Sequence, residues 1–375
     1  MTLAGMILRL VIGPLAVLFI ALLTIILLLQ TKPGTSPDHR PHVIADFRTG
    51  PGQQFPSGIA IDAATNRIYV ANEIANTVSV IDGASNAIIA TVPVGSDPVG
   101  TAFDPNANRI YVANRVSNDV SVIDTSNNTV IATVPLGWMP LEVAVNPNTN
   151  RIYVTSSDGL SVIDGASNAT LATISVGSYP LSVAVNTRTN RIYVADFYGR
   201  KISVIDGASN TILTTVTPGG SPNGIAVDSS RNLVYVANTE SNTVSIIGGS
   251  SVIGGITVTD YPIGVIVNSM ANRIYVANSG SDSVSVVDGA SSGSVIATVA
   301  LEGHPFAMAV NPNTNRIYVA NSRDGTISVI EDSFTEKGGW RAAAYAALLV
   351  GLVAVVALVR AGESHAIRRL KTRRD

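Results

Sequence analysis

"RIYVAN" occupies residues 67–72, and the same six letters return at 109–114, 273–278 and 316–321. Near copies stand at 151–156 (RIYVTS), 191–196 (RIYVAD) and 233–238 (LVYVAN). The seven tyrosines, at 69, 111, 153, 193, 235, 275 and 318, are spaced by 42, 42, 40, 42, 40 and 43 residues. A period near 40 marks a repeat array, in which each unit hides its apolar face against its neighbours. The first unit carries four short strand signals: GIAID (58–62), RIYVAN (67–72), TVSVID (77–82) and AIIATVPV (87–94). The joints AATN, EIAN and GASN are turn material. No stretch between 42 and 332 repeats its apolar residues with the helical period of 3.6.

Four strands per unit and a period near 40 are what the blades of a β-propeller require. The innermost strands of such a ring crowd around its axis, and small residues belong there. Four places after each unit's proline stand Ala60, Ala102, Ala144, Ala184, Ala226, Ile266 and Ala309. Folding the second and third strands of a unit into a hairpin sets Arg67 opposite Asp82. The same register pairs Arg109 with Asp124, Arg151 with Asp164, Arg191 with Asp206, Arg273 with Asp288 and Arg316 with Glu331. In the fifth unit both partners are gone together, replaced by Leu233 and Gly248. These pairs read as structural ion pairs, each worth about 0–1 kcal/mol at an exposed hairpin end. The seventh unit shows AMAVN (307–311), RIYVAN (316–321) and TISVIED (326–332) but no fourth strand. VIADFRTG at 43–50 matches the fourth-strand pattern IIATVPVG at 88–95 and supplies the missing strand. The expected fold is therefore all-β: a seven-bladed β-propeller of four-stranded antiparallel blades whose N-terminal strand completes the last blade. Transmembrane helices flank it at both ends.

The chain has 375 residues, no Cys and a formal net charge of −2. Without Cys there is no disulfide, no thiolate nucleophile and no Cys-ligated metal. Residues 1–41 carry 3 Lys/Arg and 1 Asp/Glu (+2), residues 42–336 carry 13 and 23 (−10), and residues 337–375 carry 8 and 2 (+6). LVIGPLAVLFIALLTIILLL at 10–29 has the length of a bilayer-crossing helix. A cleavable signal peptide is the alternative, but the run is long and QTKPGTSP after it offers no small-residue cleavage site. AAAYAALLVGLVAVVALV at 342–359 is uncharged, lacks a polar stripe and follows Trp340 and Arg341, which suit a membrane interface. RRLKTRRD at 368–375 assigns the tail to the cytoplasm by the positive-inside bias, where it can contact anionic lipid headgroups. The chain thus divides into a short N-terminal segment (1–9), a transmembrane signal anchor (10–29), a linker (30–41), the propeller (42–332), a second linker (333–341), a transmembrane helix (342–359) and a basic cytoplasmic tail (360–375). The protein is expected to be integral to the plasma membrane, with the propeller outside the cytoplasm.

Of the four histidines, His39, His42, His304 and His365, only His304 falls in a loop at the propeller's mouth. There is no Cys-x-x-Cys-His and no nucleophile-elbow motif, so no catalytic residue, cofactor or metal is assigned. Asp62, Asp104 and Asp228 share a repeated slot with Asn146, Asn186, Asn268 and Asn311, and read as caps of the turn that follows. The DGASN stretches lack the acidic spacing of a calcium loop and read as hairpin turns. A body of charge −10 with one lysine, Lys201, excludes nucleic acid as the main partner.

If repeated slots are scaffold, function belongs where the copies differ. Two sets of loops open on one face of a propeller. The loops leading into the innermost strands carry Phe55, Asp97, Trp138, Met139, Tyr179, Tyr261, His304 and Phe306. The turns between second and third strands carry Glu73, Arg115, Phe197, Tyr198, Glu240 and Arg323. Aromatic and Arg side chains give large contact area at low entropic cost and suit recognition of a protein or glycan. The plainer alternative is that they plug the mouth.

The YVAN and YVTS cores followed by SVIDG resemble the YVTN-type β-propeller repeat of archaeal surface-layer proteins and bacterial exported proteins. The resemblance covers about 42–332. It implies a seven-bladed propeller exposed at a cell surface, acting as a surface or binding module, and it implies no single activity. Sugar-lactone hydrolases occur among related seven-bladed propellers. The alternative is therefore an enzyme of that type, using mouth carboxylates such as Asp97 or Glu73 with a divalent cation. A third reading is a structural component of the cell envelope.

Overall fold

The computed structural model describes residues 40–52, 54–289 and 293–332, and Arg40–Ser333 forms one compact unit. The apolar segments 10–29 and 342–359 and the basic tail 360–375 lie outside the described residues. Among the described residues, no helix is long and apolar enough to cross a membrane. Strands β1–β28 form seven four-stranded antiparallel sheets. Blades 1 to 6 are β2–β5 (56–93), β6–β9 (98–135), β10–β13 (143–174), β14–β17 (180–216), β18–β21 (222–257) and β22–β25 (262–300). Blade 7 combines β26–β28 (305–331) with β1 (His42–Arg48), so the first strand closes the ring as the sequence predicts. The closing register runs from His42 opposite Glu331 to Arg48 opposite Thr326.

The repeated phrase is a two-faced strand. Successive side chains point to opposite faces. Tyr69 and Ala71 turn toward blade 2 and pack with Ile110, Val112 and Ile123. Ile68 and Val70 turn toward blade 7 and meet Tyr318 and Ala320. The division repeats at each joint, giving seven apolar clusters, one per blade interface. The seven tyrosines are the largest fully buried side chains. Six of them lie opposite the alanine of the innermost strand, as Tyr69 does Ala60 and Tyr111 does Ala102, and Tyr275 lies opposite Ile266. Alanine there makes room for the ring. The tightest approach at the axis falls two places after the proline instead. A Cβ on Gly58 would lie 2.0 Å from the Val99 carbonyl oxygen, and one on Gly100 would lie 2.3 Å from that of Leu141.

Polar contacts bind the hairpins and the blades. The asparagine that ends the phrase is buried: Asn72 Nδ2 donates to Ser79 Oγ (2.9 Å), which donates to the Thr49 carbonyl (2.6 Å). Asn114, Asn238, Asn278 and Asn321 make the same bond to Ser121, Ser245, Ser285 and Ser328, at 2.7–3.0 Å. The six arginines stand opposite their acidic partners in the strand register. Arg151–Asp164 (2.6 Å) and Arg273–Asp288 (3.1 Å) close as ion pairs. Arg67, Arg109 and Arg316 instead donate sideways to carbonyls of the next blade, on Thr125 (3.1 Å), Gly165 (2.7 Å) and Gly83 (2.8 Å). Four of the acids, Asp82, Asp124, Asp164 and Asp206, cap their own turns. Asp82 Oδ1 accepts from Ser85 Oγ (2.7 Å) and from the amides of Ser85 (2.8 Å) and Ala84 (3.2 Å), and these bonds hold its carboxyl below the usual range. The DGASN stretches are therefore hairpin turns, each ending in a left-handed asparagine such as Asn86 (φ 59°).

The Asx slot caps the next turn, and its asparagines also reach across to the neighbouring blade. Asn146 donates to Asn190 (2.8 Å), Asn186 to Asn232 (2.8 Å), Asn268 to Asn315 (3.1 Å) and Asn311 to Asn66 (2.7 Å). Each outermost strand is broken by a β-bulge at one aliphatic residue: Ile44, Ile89, Ile131, Leu171, Leu213, Ile253 and Ile296. A bulge bends an exposed edge away from pairing with another sheet.

Closure can be tested without background, because the chain has no Cys. Ala45 and Val329 are paired neighbours on β1 and β28. The double variant Ala45→Cys/Val329→Cys is expected to form an intramolecular disulfide on oxidation and to raise the melting temperature, with a stabilisation of up to about 5 kcal/mol. Failure to cross-link, or cross-linking only between molecules, contradicts the closure.

Candidate binding rim and axial cavity

The residue before each lead-in proline is fixed by its own blade. Its carbonyl accepts the amide of the first residue after the second strand: Glu73 to Phe55 (3.1 Å), Arg115 to Asp97 (2.8 Å), Phe197 to Tyr179 (3.1 Å), Ser279 to Tyr261 (3.0 Å) and Ser322 to His304 (3.1 Å). In blade 3 the bond shifts by one, from Ser157 to Trp138 (2.9 Å). These bonds join the two loop sets on one rim. Five of the lead-in residues hold left-handed backbone: Phe55 (φ 47°), Asp97 (60°), Met139 (56°), Tyr261 (57°) and His304 (59°). That conformation is rare for bulky residues and costs on the order of 1–3 kcal/mol. Four of them are clipped by the preceding blade. The amides of Asp97, Met139 and Tyr261 donate to the side chains of Asn76 (2.8 Å), Asn118 (3.0 Å) and Asn242 (3.0 Å), and that of His304 to Asp282 (2.9 Å). The rim is thus held in shape by the ring itself.

The side chains it presents are mixed. Trp138, Tyr198, Tyr261 and Phe306 are 66%, 71%, 54% and 47% exposed. Blade 4 gathers three aromatics: Tyr198 lies 5.1 Å from Tyr179 and 5.4 Å from Phe197, the latter edge-on. Arg115 binds Asp97 (2.7 Å) and Glu73 (3.8 Å), so both mouth carboxylates meet one guanidinium. Burial pushes the Glu73 carboxyl up, and Arg115 works against the rise. Glu240 pairs with Arg200 (2.8 Å), a residue the sequence reading did not single out. The ring of His304 is held by the Ser279 carbonyl (2.6 Å). Arg323 is exposed, and Met139 is half-buried. Among the described residues, no three His, Asp or Glu side chains converge on a point that could hold a metal ion.

Below the rim the innermost strands enclose a cavity of about 460 Å3. Two residues of its wall, Glu142 and Thr101, depart from the repeat, as does Thr155 on the strand behind Glu142, and the loop-centred reading of the sequence passed over all three. Two places after the proline, four blades have Gly and two have Ser182 and Ala307, but blade 3 has Glu142. Three places after it, six blades have an aliphatic residue and blade 2 has Thr101. At the alanine of the phrase, six blades have Ala and blade 3 has Thr155. Aligning the seven units on their prolines was the signal that exposes them. Two of the departures touch. The Glu142 amide donates to Thr155 Oγ1 (3.0 Å), and the Thr155 amide donates to the Glu142 carbonyl (3.0 Å). The innermost strand of blade 3, β10 (Val143–Asn146), has four residues where the other six have seven. A glutamate in the glycine slot has no room in the regular strand, so the strand yields. The cavity wall burial pushes the Glu142 carboxyl up to about 7, offset in part by the Val143 amide (3.3 Å).

An ordinary glutamate titrates near 4.5. The folded protein therefore holds the Glu142 proton more tightly than the unfolded chain does. Stability falls as pH rises through the window from about 4.5 to about 7. Glu142→Gln cannot ionise. It is expected to be more stable than wild type at pH 8 by about 1–3 kcal/mol, with the difference gone by pH 4. Identical melting curves at both pH values contradict a Glu142 carboxyl whose titration the cavity wall raises.

The NHL repeat family matches residues 220–247, which span the first three strands of blade 5. No curated protein matches the chain. Among solved structures 1716 chains match, a breadth that speaks for a shared architecture and not for one activity. One of them is Kuenenia stuttgartiensis Hydrazine Synthase, 19% identical with a TM-score of 0.68, the alignment covering 74% of this chain and 96% of that one. At that identity the likeness concerns the fold alone. The blades, the repeat match and the shared architecture agree: this chain is a β-propeller repeat protein with seven four-stranded blades.

Proposed function

We propose that the propeller is the extracytoplasmic part of a membrane-anchored protein and serves as an interaction module, binding a surface protein or glycan through its rim. The observation that carries this reading is where the copies differ. The variable lead-in positions hold exposed aromatics on one face, in a backbone set by neighbouring blades. Preset aromatic side chains bind with little ordering cost. The likeness to YVTN-type repeats of exported surface proteins supports the location, as do the two apolar segments and the basic tail. So does the path of the chain. His42 and Glu331, the outer ends of the described strands, pair at the strand ends that bear the DGASN-type turns. The rim lies at the other ends of the strands and faces away from the points where the chain leaves. The bulged outer strands favour recognition through the rim over assembly by edge pairing.

The test combines location with binding. Ala208→Cys, on an exposed turn, is expected to react with a membrane-impermeant maleimide on intact cells, and Lys371→Cys only after permeabilisation. Replacing Trp138, Tyr179 and Tyr261 together by Ala is expected to leave the β-sheet circular dichroism unchanged and to weaken retention on isolated envelopes at least tenfold, since buried interface aromatics each contribute roughly 2 kcal/mol or more. Reversed labelling defeats the location. Unaltered retention by the folded triple variant defeats the rim.

A further inference from the structure

We propose that the axial cavity is a binding site for a small organic ammonium, with the Glu142 carboxylate as its counter-charge. The cavity shares Glu73, Arg115, Tyr179 and Phe306 with the rim, but the proposal concerns Glu142, which is no part of the rim, and stands whatever the rim binds. Its volume, about 460 Å3, falls within the roughly 300–1,000 Å3 of small-molecule sites. Its wall is of mixed character: Leu141, Leu181, Ile263 and Met308 line it beside Ser182, Asn223 and the glycine backbone of the inner strands. Into that wall the chain places a carboxylate the repeat does not call for, Glu142. Among the described residues it accepts one hydrogen bond, from the neighbouring Val143 amide (3.3 Å). A carboxylate set in a cavity wall without a paired cation is costly to ionise. A donor-bearing cation removes that penalty.

The charge balance selects the sign of the ligand. The cavity's one guanidinium, Arg115, is bound by Asp97 (2.7 Å) and Glu73 (3.8 Å). An anionic ligand would have to displace those carboxylates and would meet Glu142. A divalent metal ion needs several oxygen ligands, commonly with more than one carboxylate, and among the described residues no three His, Asp or Glu side chains converge here. An ammonium with its own apolar body fits both the charge and the wall. Two of the departures from the repeat, Glu142 and Thr155, form one device. Thr155 holds the backbone of Glu142 outside the regular strand, and so frees its side chain from the glycine slot.

Binding should be linked to the protonation of Glu142. The innermost strands beside it, β6 (Pro98–Asp104) and β14 (Pro180–Asn186), carry Asp104 and no ionisable residue respectively. β11 (Arg151–Ser156), behind it, carries Arg151 and Tyr153. Asp104 and Arg151 stand at the far strand ends, and Glu73, Arg115 and Tyr179 share the cavity wall. Because Glu73 is also raised by burial, the Glu142→Gln variant is the reference for any pH profile.

The experiment is calorimetric titration of the full chain in detergent with 2-phenylethylammonium and, as its uncharged counterpart, 2-phenylethanol. At pH 8 the ammonium is expected to bind at least tenfold more tightly than the alcohol. Glu142→Gln is expected to weaken the ammonium at least tenfold while leaving the alcohol unchanged. In wild type the affinity for the ammonium should fall as pH drops from 8 to 5.5, and in Glu142→Gln it should not. Equal binding of the two probes, no binding of either, or an unchanged ammonium affinity in a folded Glu142→Gln overturns the proposal.

Discussion

Seven strands cannot meet around one axis unless something gives, and in this protein the side chain gives. Where the innermost strands come closest, a Cβ would stand 2.0–2.9 Å from the carbonyl of the next strand at Gly58, Gly100, Gly224 and Gly264. Removing the side chain lets the backbones approach. The approach in turn sets how far apart the second strands lie, and therefore how deeply each tyrosine reaches into the next blade. The hydrophobic stabilisation of the ring resides in those lateral contacts, since no blade has a core of its own.

Around this packing the polar groups act as spacers and clasps. The buried asparagines join second and third strands, the guanidinium groups of Arg67, Arg109 and Arg316 reach the next blade, and the Asn–Asn bonds tie the turns on the opposite face. Each such bond is worth about 0.5–1.5 kcal/mol net. Their larger effect is to fix rotation between blades, so that the lead-in residues are held in left-handed backbone without a ligand.

Much of this was legible in the sequence, because a repeat states its rules several times. The period gave the blades, the absent fourth strand of the last unit gave the closure, and the differing loop residues gave the rim. What was not legible lies between blades. Register arithmetic inside one hairpin sets Arg67 opposite Asp82, but it cannot see Thr125, which lies in the next unit, so the lateral bonds stayed hidden. The alanine slot was assigned to crowding at the axis. In the fold it answers mainly to the tyrosine opposite it, and glycine answers to the axis. Glu142, Thr101 and Thr155 were visible as letters. Their meaning depended on knowing which slot faces the cavity.

The scaffold and its departures thus divide the labour. Repeated residues hold the ring, and residues that break the pattern cost stability where they sit, which makes them candidates for function. The measurement that tests this most directly is thermal unfolding, at neutral pH, of a chain whose third blade is returned to the repeat by Glu142→Gly with Thr155→Ala. If the repeat is the stable solution and Glu142 an imposed exception, the double variant keeps its β-sheet signal and melts at a higher temperature than wild type. A lower melting temperature would show that Glu142 and Thr155 help to hold the ring together, and would contradict the account.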